Sequence, residues 1–437
     1  MMSRANVWWP VIALIAALAI YGGTAWSLDH TTNINTYFDH LAAAMLQGRL
    51  DIGDQVGLHD LAPFEGKWYV PFPPLPALLL LPWVALRGTE NTNTVVFSVL
   101  VCAVNAALVF QLFAELAKRS LAPGSSEARL WMTLLFTCGC VHWYMSIDGS
   151  VYYLGQVCTF AFVALSAIDA LRGGPAWRVG LWLAIACWGR PNVILTAPML
   201  IGISALQLRD ASGSIDRAAL RKWTMRLAVP LGVSIALLLA HNYARFRNPL
   251  EFGYSLQKVE ASLAGPLYTY GQFAIEHVPR NAWYLFVALP EKPRRHPHWV
   301  PSEYGMSIFL TTPALFGLLG LVRRNRGGSR ERDYLIGCAT AIAISLIPIL
   351  TYYNTGWQQF GYRFALDFFV PLLMLLAAAA ARGFGWVWRT LIILSVAVNL
   401  WGVIWWYTDW IKVPRVDPAA EFTGLVRPAT PTHATTE

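Results

Sequence analysis

Charge is what this 437-residue sequence has least of: 13% of its residues are Asp, Glu, Lys or Arg, against about 25% in an average soluble domain. With 56% of residues hydrophobic, that scarcity argues against a soluble globular fold and for a membrane one. Cysteine is also scarce, and all six (Cys102, Cys138, Cys140, Cys158, Cys187 and Cys338) fall in apolar runs rather than polar loops, where they serve as small packing residues. Cys138 and Cys140 are separated by a single residue, which is not a zinc spacing. Neither a metal nor a disulfide is expected from them. The sequence has no Gly-rich phosphate loop followed by Lys and Ser/Thr, no Gly-x-Gly-x-x-Gly and no Gly-x-Ser-x-Gly elbow. A cytosolic nucleotide substrate therefore has no expected seat. The net charge of +8 does not read as nucleic-acid affinity, because the basic residues stand at the ends of apolar runs, where they orient a membrane protein.

The apolar runs and the aromatic residues are abundant. Twenty Trp, 21 Phe and 17 Tyr fit a chain whose rings concentrate at bilayer interfaces. At about 20 residues per span, the expected fold is an all-α polytopic membrane bundle of about eleven transmembrane helices. The runs fall at 7–28, 94–117, 130–147, 153–171, 177–189, 192–207, 227–244, 306–322, 334–352, 365–381 and 387–406. The first is too long for a signal-peptide core and is read as a retained span. A proline-headed run at 74–86 is read as half-inserted. That choice puts eighteen basic and seven acidic residues inside, and fifteen basic and eighteen acidic outside. A crossing there would move the basic clusters at 209–226 and 323–332 outside, against the positive-inside rule. Residues 1–406 are thus expected to form one membrane domain with the N-terminus inside. The outer segments are 29–93, the loop around Asp148, 246–305, 353–364 and a disordered tail at 407–437. No internal repeat stands out. Acid-base chemistry is expected on the extracytoplasmic face, where this topology gathers the acids.

Several outer-face residues have the chemistry of a site. In 36–50, Tyr37, Leu41, Ala44, Met45 and Gly48 follow helical spacing on one side, with Asp39, His40, Ala43 and Gln47 on the other. Such a helix would lie on the membrane with its apolar stripe down, holding Asp39 at headgroup height. Thr36 and Asp39 also have capping-box spacing, so Asp39 could simply close the helix start. The stretch from Leu58 to Ala77 combines His59, Asp60, a Gly turn, Tyr69 and Pro71-Phe-Pro-Pro-Leu-Pro76. Asp60 there suits a turn as well as a base, and Asp148 before Gly149 has the same two readings. Arg190, in Gly-Arg-Pro-Asn, and Arg363, in Gly-Tyr-Arg-Phe, are charges at membrane depth, where an ion is costly unless paired or beside a wet cavity. A guanidinium fork suits a phosphate. Arg363 is also spaced to pair with Asp367 one helical turn on, and Arg245 and Arg247 could be interface anchors.

With these residues in place the chain resembles the GT-C superfamily of integral membrane glycosyltransferases, over most of its length to about residue 380. The resemblance rests on Tyr37, Asp39, Ala42 and Met45 in a surface helix after the first span. It continues through Pro73-Pro74-Leu75, Asp148 in the next outer loop, Arg190-Pro191 between short spans, and Tyr362-Arg363 with Pro371. Many members carry Asp-Glu four residues ahead of the surface-helix Tyr, where this chain has Asn33-Ile34-Asn35, so the base role falls to Asp39 or Asp60. The resemblance implies transfer of a sugar from a polyprenyl-phosphate-linked donor to a hydroxyl of a glycan, lipid or protein, with inversion. Asp39, Asp60 and Asp148 are the catalytic candidates. Arg363, Arg190 and Arg245 are candidates for the donor phosphate, and His40, His59, Tyr69 and Tyr362 for the pocket. Membrane lipid is an expected partner and nucleic acid is not. No cofactor is demanded, and a divalent cation stays open. The implied place is a bacterial cytoplasmic membrane. A ligase or polymerase using a polyprenyl-diphosphate oligosaccharide, or a secondary transporter, would share the composition.

Overall fold

The computed structural model describes residues 5–32, 36–53, 60–210, 213–257, 259, 261–292, 299–322 and 329–408. His59, the basic cluster at 323–328 and the tail from 409 lie outside the described residues.

The chain is a helical membrane protein. Its helices run α1 (Ala5–Ser27), α2 (Tyr37–Leu46), α3 (Leu75–Arg87), α4 (Thr94–Ala117), α5 (Ser126–Cys138), α6 (His142–Ser146) and α7 (Val151–Leu171). They continue through α8 (Ala176–Cys187), α9 (Ala197–Gln207), α10 (Arg217–Phe246), α11 (Ala261–Tyr270), α12 (Val278–Phe286), α13 (Ile308–Thr311) and α14 (Leu319–Val322). The last three are α15 (Ser329–Thr351), α16 (Phe369–Ala381) and α17 (Trp386–Thr408). Among the described residues, seven helical segments are long and apolar enough to cross a membrane: those of α1, α4, α7, α10, α15, α17 and the stretch Arg363–Ala381. The remaining apolar helices, Leu75–Arg87, Ala176–Cys187 and Pro191–Gln207, are shorter. The run expected as one span at 130–147 is broken between α5 and α6, where Gly139 caps α5 by donating to the Leu135 carbonyl (2.8 Å) and packs against Ser395. The run at 306–322 is likewise divided, by Thr312-Pro313, into α13, a 3-10 turn and α14. Proline cannot donate the hydrogen bond that a continuous helix needs there.

The all-α expectation misses a two-stranded sheet among the described residues. Strands β1 (Ala62–Phe64) and β2 (Lys67–Tyr69) pair antiparallel. Their turn, Glu65-Gly66, has positive φ at both positions (48° and 74°), the backbone that two-residue hairpins prefer. The hairpin sits between α2 and α3 and leads into Pro71–Pro74.

Helix α7 and the Arg363–Ala381 segment form the centre of the bundle, with most of their side chains enclosed by protein. Small residues set the closest approach. A Cβ on Gly202 of α9 would stand 2.7 Å from the Asp333 carbonyl oxygen, and one on Gly337 of α15 would stand 2.6 Å from the Pro198 carbonyl oxygen. That backbone seam is a common packing device of membrane helices, which gain little from apolar burial against lipid.

The end of the bundle rich in basic residues is fastened by ion pairs between helices. Glu115 on α4 takes Arg172 at the end of α7 (2.9 Å) and Lys118 at the end of its own helix (2.7 Å), and Asp169 on α7 takes Arg178 of α8 (2.7 Å). Arg209 pairs with Asp333 of α15, Arg382 with Glu331, and Arg389 of α17 with Glu127 of α5. The opposite ends of α7, α15 and α17 face a cavity.

Candidate functional site

The cavity has a volume of about 740 Å³, within the range of small-molecule sites. Four of the residues singled out in the sequence, Asp60, Asp148, Arg190 and Arg363, line it. They arrive from the loop before β1, the turn before α7, the junction between α8 and the 3-10 turn Pro191–Thr196, and the 3-10 turn Arg363–Phe368 before α16.

Asp60 is held in a left-handed conformation (φ 58°). Its carboxylate accepts from the Tyr152 hydroxyl at 2.6 Å and from Gln257 Nε2 at 2.9 Å. Tyr152 lies in the first turn of α7, and Gln257 belongs to the segment after α10 that also lines the cavity. Asp148 is buried, and its Oδ1 accepts from the Ser150 backbone N–H at 3.0 Å. Burial pushes its pKa above the ordinary carboxylate range, against the pull of Ser150, His30 and Trp406. Gly149 makes this turn possible. Its φ is 73°, and a Cβ there would stand 2.6 Å from the Val95 backbone nitrogen at the start of α4.

The two arginines are in different electrostatic states. Arg190 is forked onto Asp367, with Nη2 to Oδ2 at 2.6 Å and Nε to Oδ1 at 3.2 Å. Asn192 Nδ2 donates to the same Oδ2 at 2.8 Å, and Gln156 Nε2 reaches Oδ1 at 3.4 Å. The helical spacing that suggested an Arg363–Asp367 pair does not apply, because residues 363–368 form a 3-10 turn, in which positions three apart, not four, align. Arg363 instead donates to neutral acceptors: Nε to the Gly356 carbonyl (3.0 Å), Nη1 to the Tyr152 carbonyl (2.6 Å) and to Gln156 Oε1 (3.4 Å). Its guanidinium stands over the rings of Phe364 and Tyr153, 4.9 and 5.1 Å from their centroids. Among the described residues it has no carboxylate partner within ion-pair distance.

Other expected site residues lie elsewhere. Asp39 was placed on the polar face of the surface helix, but α2 buries it together with Tyr37, Phe38 and Leu41. Its Oδ1 accepts from the His40 backbone N–H (3.0 Å), and burial raises its pKa despite the opposing effect of His40. Neither Asp39 nor His40 lines the cavity, whereas their neighbour Phe38 does. Tyr69 packs edge-on against Phe246 at 5.2 Å. Arg245 is buried, donating to the Val70 carbonyl and to Asn242 Oδ1, both at 2.8 Å, so it binds the hairpin's exit to α10 and does not face the cavity. Tyr362 is enclosed, and its hydroxyl has no hydrogen-bond partner among the described residues.

Tyr152, Gln156, Asn192, Gln257 and Asp367 were not read as site residues. The four neutral polar side chains leave no periodic or charge signature, and Asp367 was read only as a helical-spacing partner for Arg363. Only the Asn after Arg190-Pro191 and the Asp after Tyr362-Arg363 stood beside motifs already noted.

Chemically, the cavity places carboxylates able to take a proton within the same enclosure as a guanidinium able to take an anion, amid the rings of Phe72, Tyr254 and Trp406. No group of three or more His, Cys, Asp or Glu among the described residues is arranged to hold a metal ion. The chain matches no family model, no curated protein and no solved structure.

Proposed function

We propose that the chain is a membrane glycosyltransferase of the GT-C type. It moves a sugar from a polyprenyl-phosphate-linked donor to a hydroxyl acceptor on the extracytoplasmic face of a bacterial cytoplasmic membrane. The observation that carries this reading is the cavity in which Asp60 and Asp148 are enclosed with Arg363, a cation that has no carboxylate of its own among the described residues. Asp60 is the base in this scheme, in preference to Asp39, because it lines the cavity and is fixed by two donors. The acceptor oxygen attacks the anomeric carbon from the face opposite the phosphate. The C–O bond to the acceptor forms, the C–O bond to the phosphate breaks with inversion, and the acceptor proton passes to Asp60. The lipid phosphate leaves with the bonding pair, and Arg363 stabilises its charge.

Support also comes from the basic end of the bundle. A transporter must open both ends in turn, and here that end is tied by ion pairs across α4, α5, α7, α8, α15 and α17.

The test is transfer of labelled sugar from polyprenyl-phospho-sugar donors in membranes containing each variant. Asp60→Asn is expected to lose transfer while remaining folded, and Asp39→Asn to keep it. An active Asp60→Asn refutes the assignment of the base. Counterflow uptake in proteoliposomes with no glycosylated product refutes the enzyme reading altogether.

A further inference from the structure

The cavity wall holds two guanidinium groups among the described residues, but only one of them is electrostatically available. Arg190 is spent on Asp367, whose side chain is almost wholly enclosed, and Asn192 and Gln156 hold the carboxylate in the same place. Arg363 is adjacent in this network, since Gln156 spans both, accepting from Arg363 Nη1 and donating to Asp367. Its guanidinium is met only by carbonyl oxygens and rings among the described residues. Among the described residues, the other charged side chains of the wall are acidic: Asp60, Asp148 and Glu251.

We propose that Asp367 is a specificity-determining residue: by neutralising Arg190 it leaves Arg363 as the one free cation among the described residues of the wall, and so favours a donor with a single bridging phosphate over a diphosphate. The inference rests on the lipid-phosphate reading above. A phosphodiester-linked sugar carries one negative charge, which Arg363 matches. A diphosphate diester carries two, and the second would face the carboxylates in an enclosure of low dielectric, where an unmatched charge is heavily penalised. A cavity built for diphosphate would need Arg190 as its second clamp, and the fork geometry of Arg190 is already filled by carboxylate oxygens.

The probes are farnesyl phosphoglucose and farnesyl diphosphoglucose, with one and two charges, titrated against the full chain in detergent micelles and read by native mass spectrometry. The wild-type chain should prefer the monophosphate by at least about tenfold, as expected for one unmatched buried charge. Asp367→Asn releases Arg190 and should narrow or reverse that ratio by tightening the diphosphate. Arg363→Gln should weaken the monophosphate by about tenfold or more. Arg190→Gln, which leaves Asp367 negative, reads the pair from the other side and should weaken both probes, the diphosphate more. The double variant Arg190→Gln/Asp367→Asn removes both charges and should restore the wild-type preference. An Asp367→Asn protein that binds both probes with the wild-type ratio overturns the role of Asp367 while leaving the lipid-phosphate reading intact. A wild-type chain that binds neither probe overturns both.

Discussion

Replacing Arg190 by Gln tests whether the pair with Asp367 holds the centre of the bundle together. The two residues are 177 positions apart and join the turn after α8 to the start of the Arg363–Ala381 segment. Breaking a buried ion pair from one side costs about 3–5 kcal/mol, because the remaining charge stays desolvated. The Asp367 side chain is 1% exposed and suits that range, whereas Arg190 is 24% exposed, and Asp367 keeps its bond from Asn192 at 2.8 Å. Both facts pull the expectation down to about 2–3 kcal/mol, the range for a lost charge-assisted hydrogen bond and its unsatisfied partner. The assay is already built into the chain. All six cysteines are buried, so a thiol-reactive dye reports unfolding in detergent as each becomes accessible. Arg190→Gln should melt several degrees earlier, and Arg190→Gln/Asp367→Asn should recover most of the loss, since a neutral pair strands no charge. If Arg190→Gln melts with the wild-type chain, or the double variant melts earlier than the single, the pair does not act as described.

Three further outcomes follow from particular side chains. Burial raises the Asp39 pKa, so the folded chain holds that proton more tightly than the unfolded one; its contribution to stability is complete below about pH 4 and is lost as the pH rises through the raised value. Asp39→Asn should therefore flatten the fall in melting temperature across that window, measured by the same dye assay at stepped pH, and a steeper fall refutes the sign. Gly149→Ala should be poorly folded or inactive, because φ of 73° and a backbone nitrogen 2.6 Å from the new Cβ leave it no room; expression and gel-filtration profile check this. Glu115→Gln should cost more than a typical surface pair, since its carboxylate is 3% exposed and serves both Lys118 and Arg172, and a melting temperature unchanged within about one degree would show the hub to be idle.

Long spans were legible because hydrophobicity is continuous along them. The expected run 94–117 coincides with α4, and 153–171 falls two residues short of α7. The run at 227–244 captures only the apolar part of α10, which begins at Arg217, because a helix can continue into water where hydropathy falls silent. The breaks at Gly139 and Pro313 were hidden for the opposite reason: apolar content persists through them. Of the site, the charged residues were legible because charge is rare in this chain. Their pairing was not. Arg190 and Asp367 meet only through the tertiary fold, and the local rule that would have paired Arg363 with Asp367 assumes an α-helix where the chain makes a 3-10 turn. Asp39 looked exposed by helical spacing, but α2 packs against α3 and buries Asp39 with Tyr37, Phe38 and Leu41.

The ion pairs across the basic end have a mechanical consequence. A bundle riveted at one end behaves like a set of tongs: its helices can spread only where the rivets are absent, at the cavity mouth. Spin labels placed across the tips of α7 and α17 beside Trp406 should therefore report a broad spread of separations, and labels placed between Arg172 and Arg389 a narrow one. Any ligand, whatever its chemistry, would enter and leave by the same side.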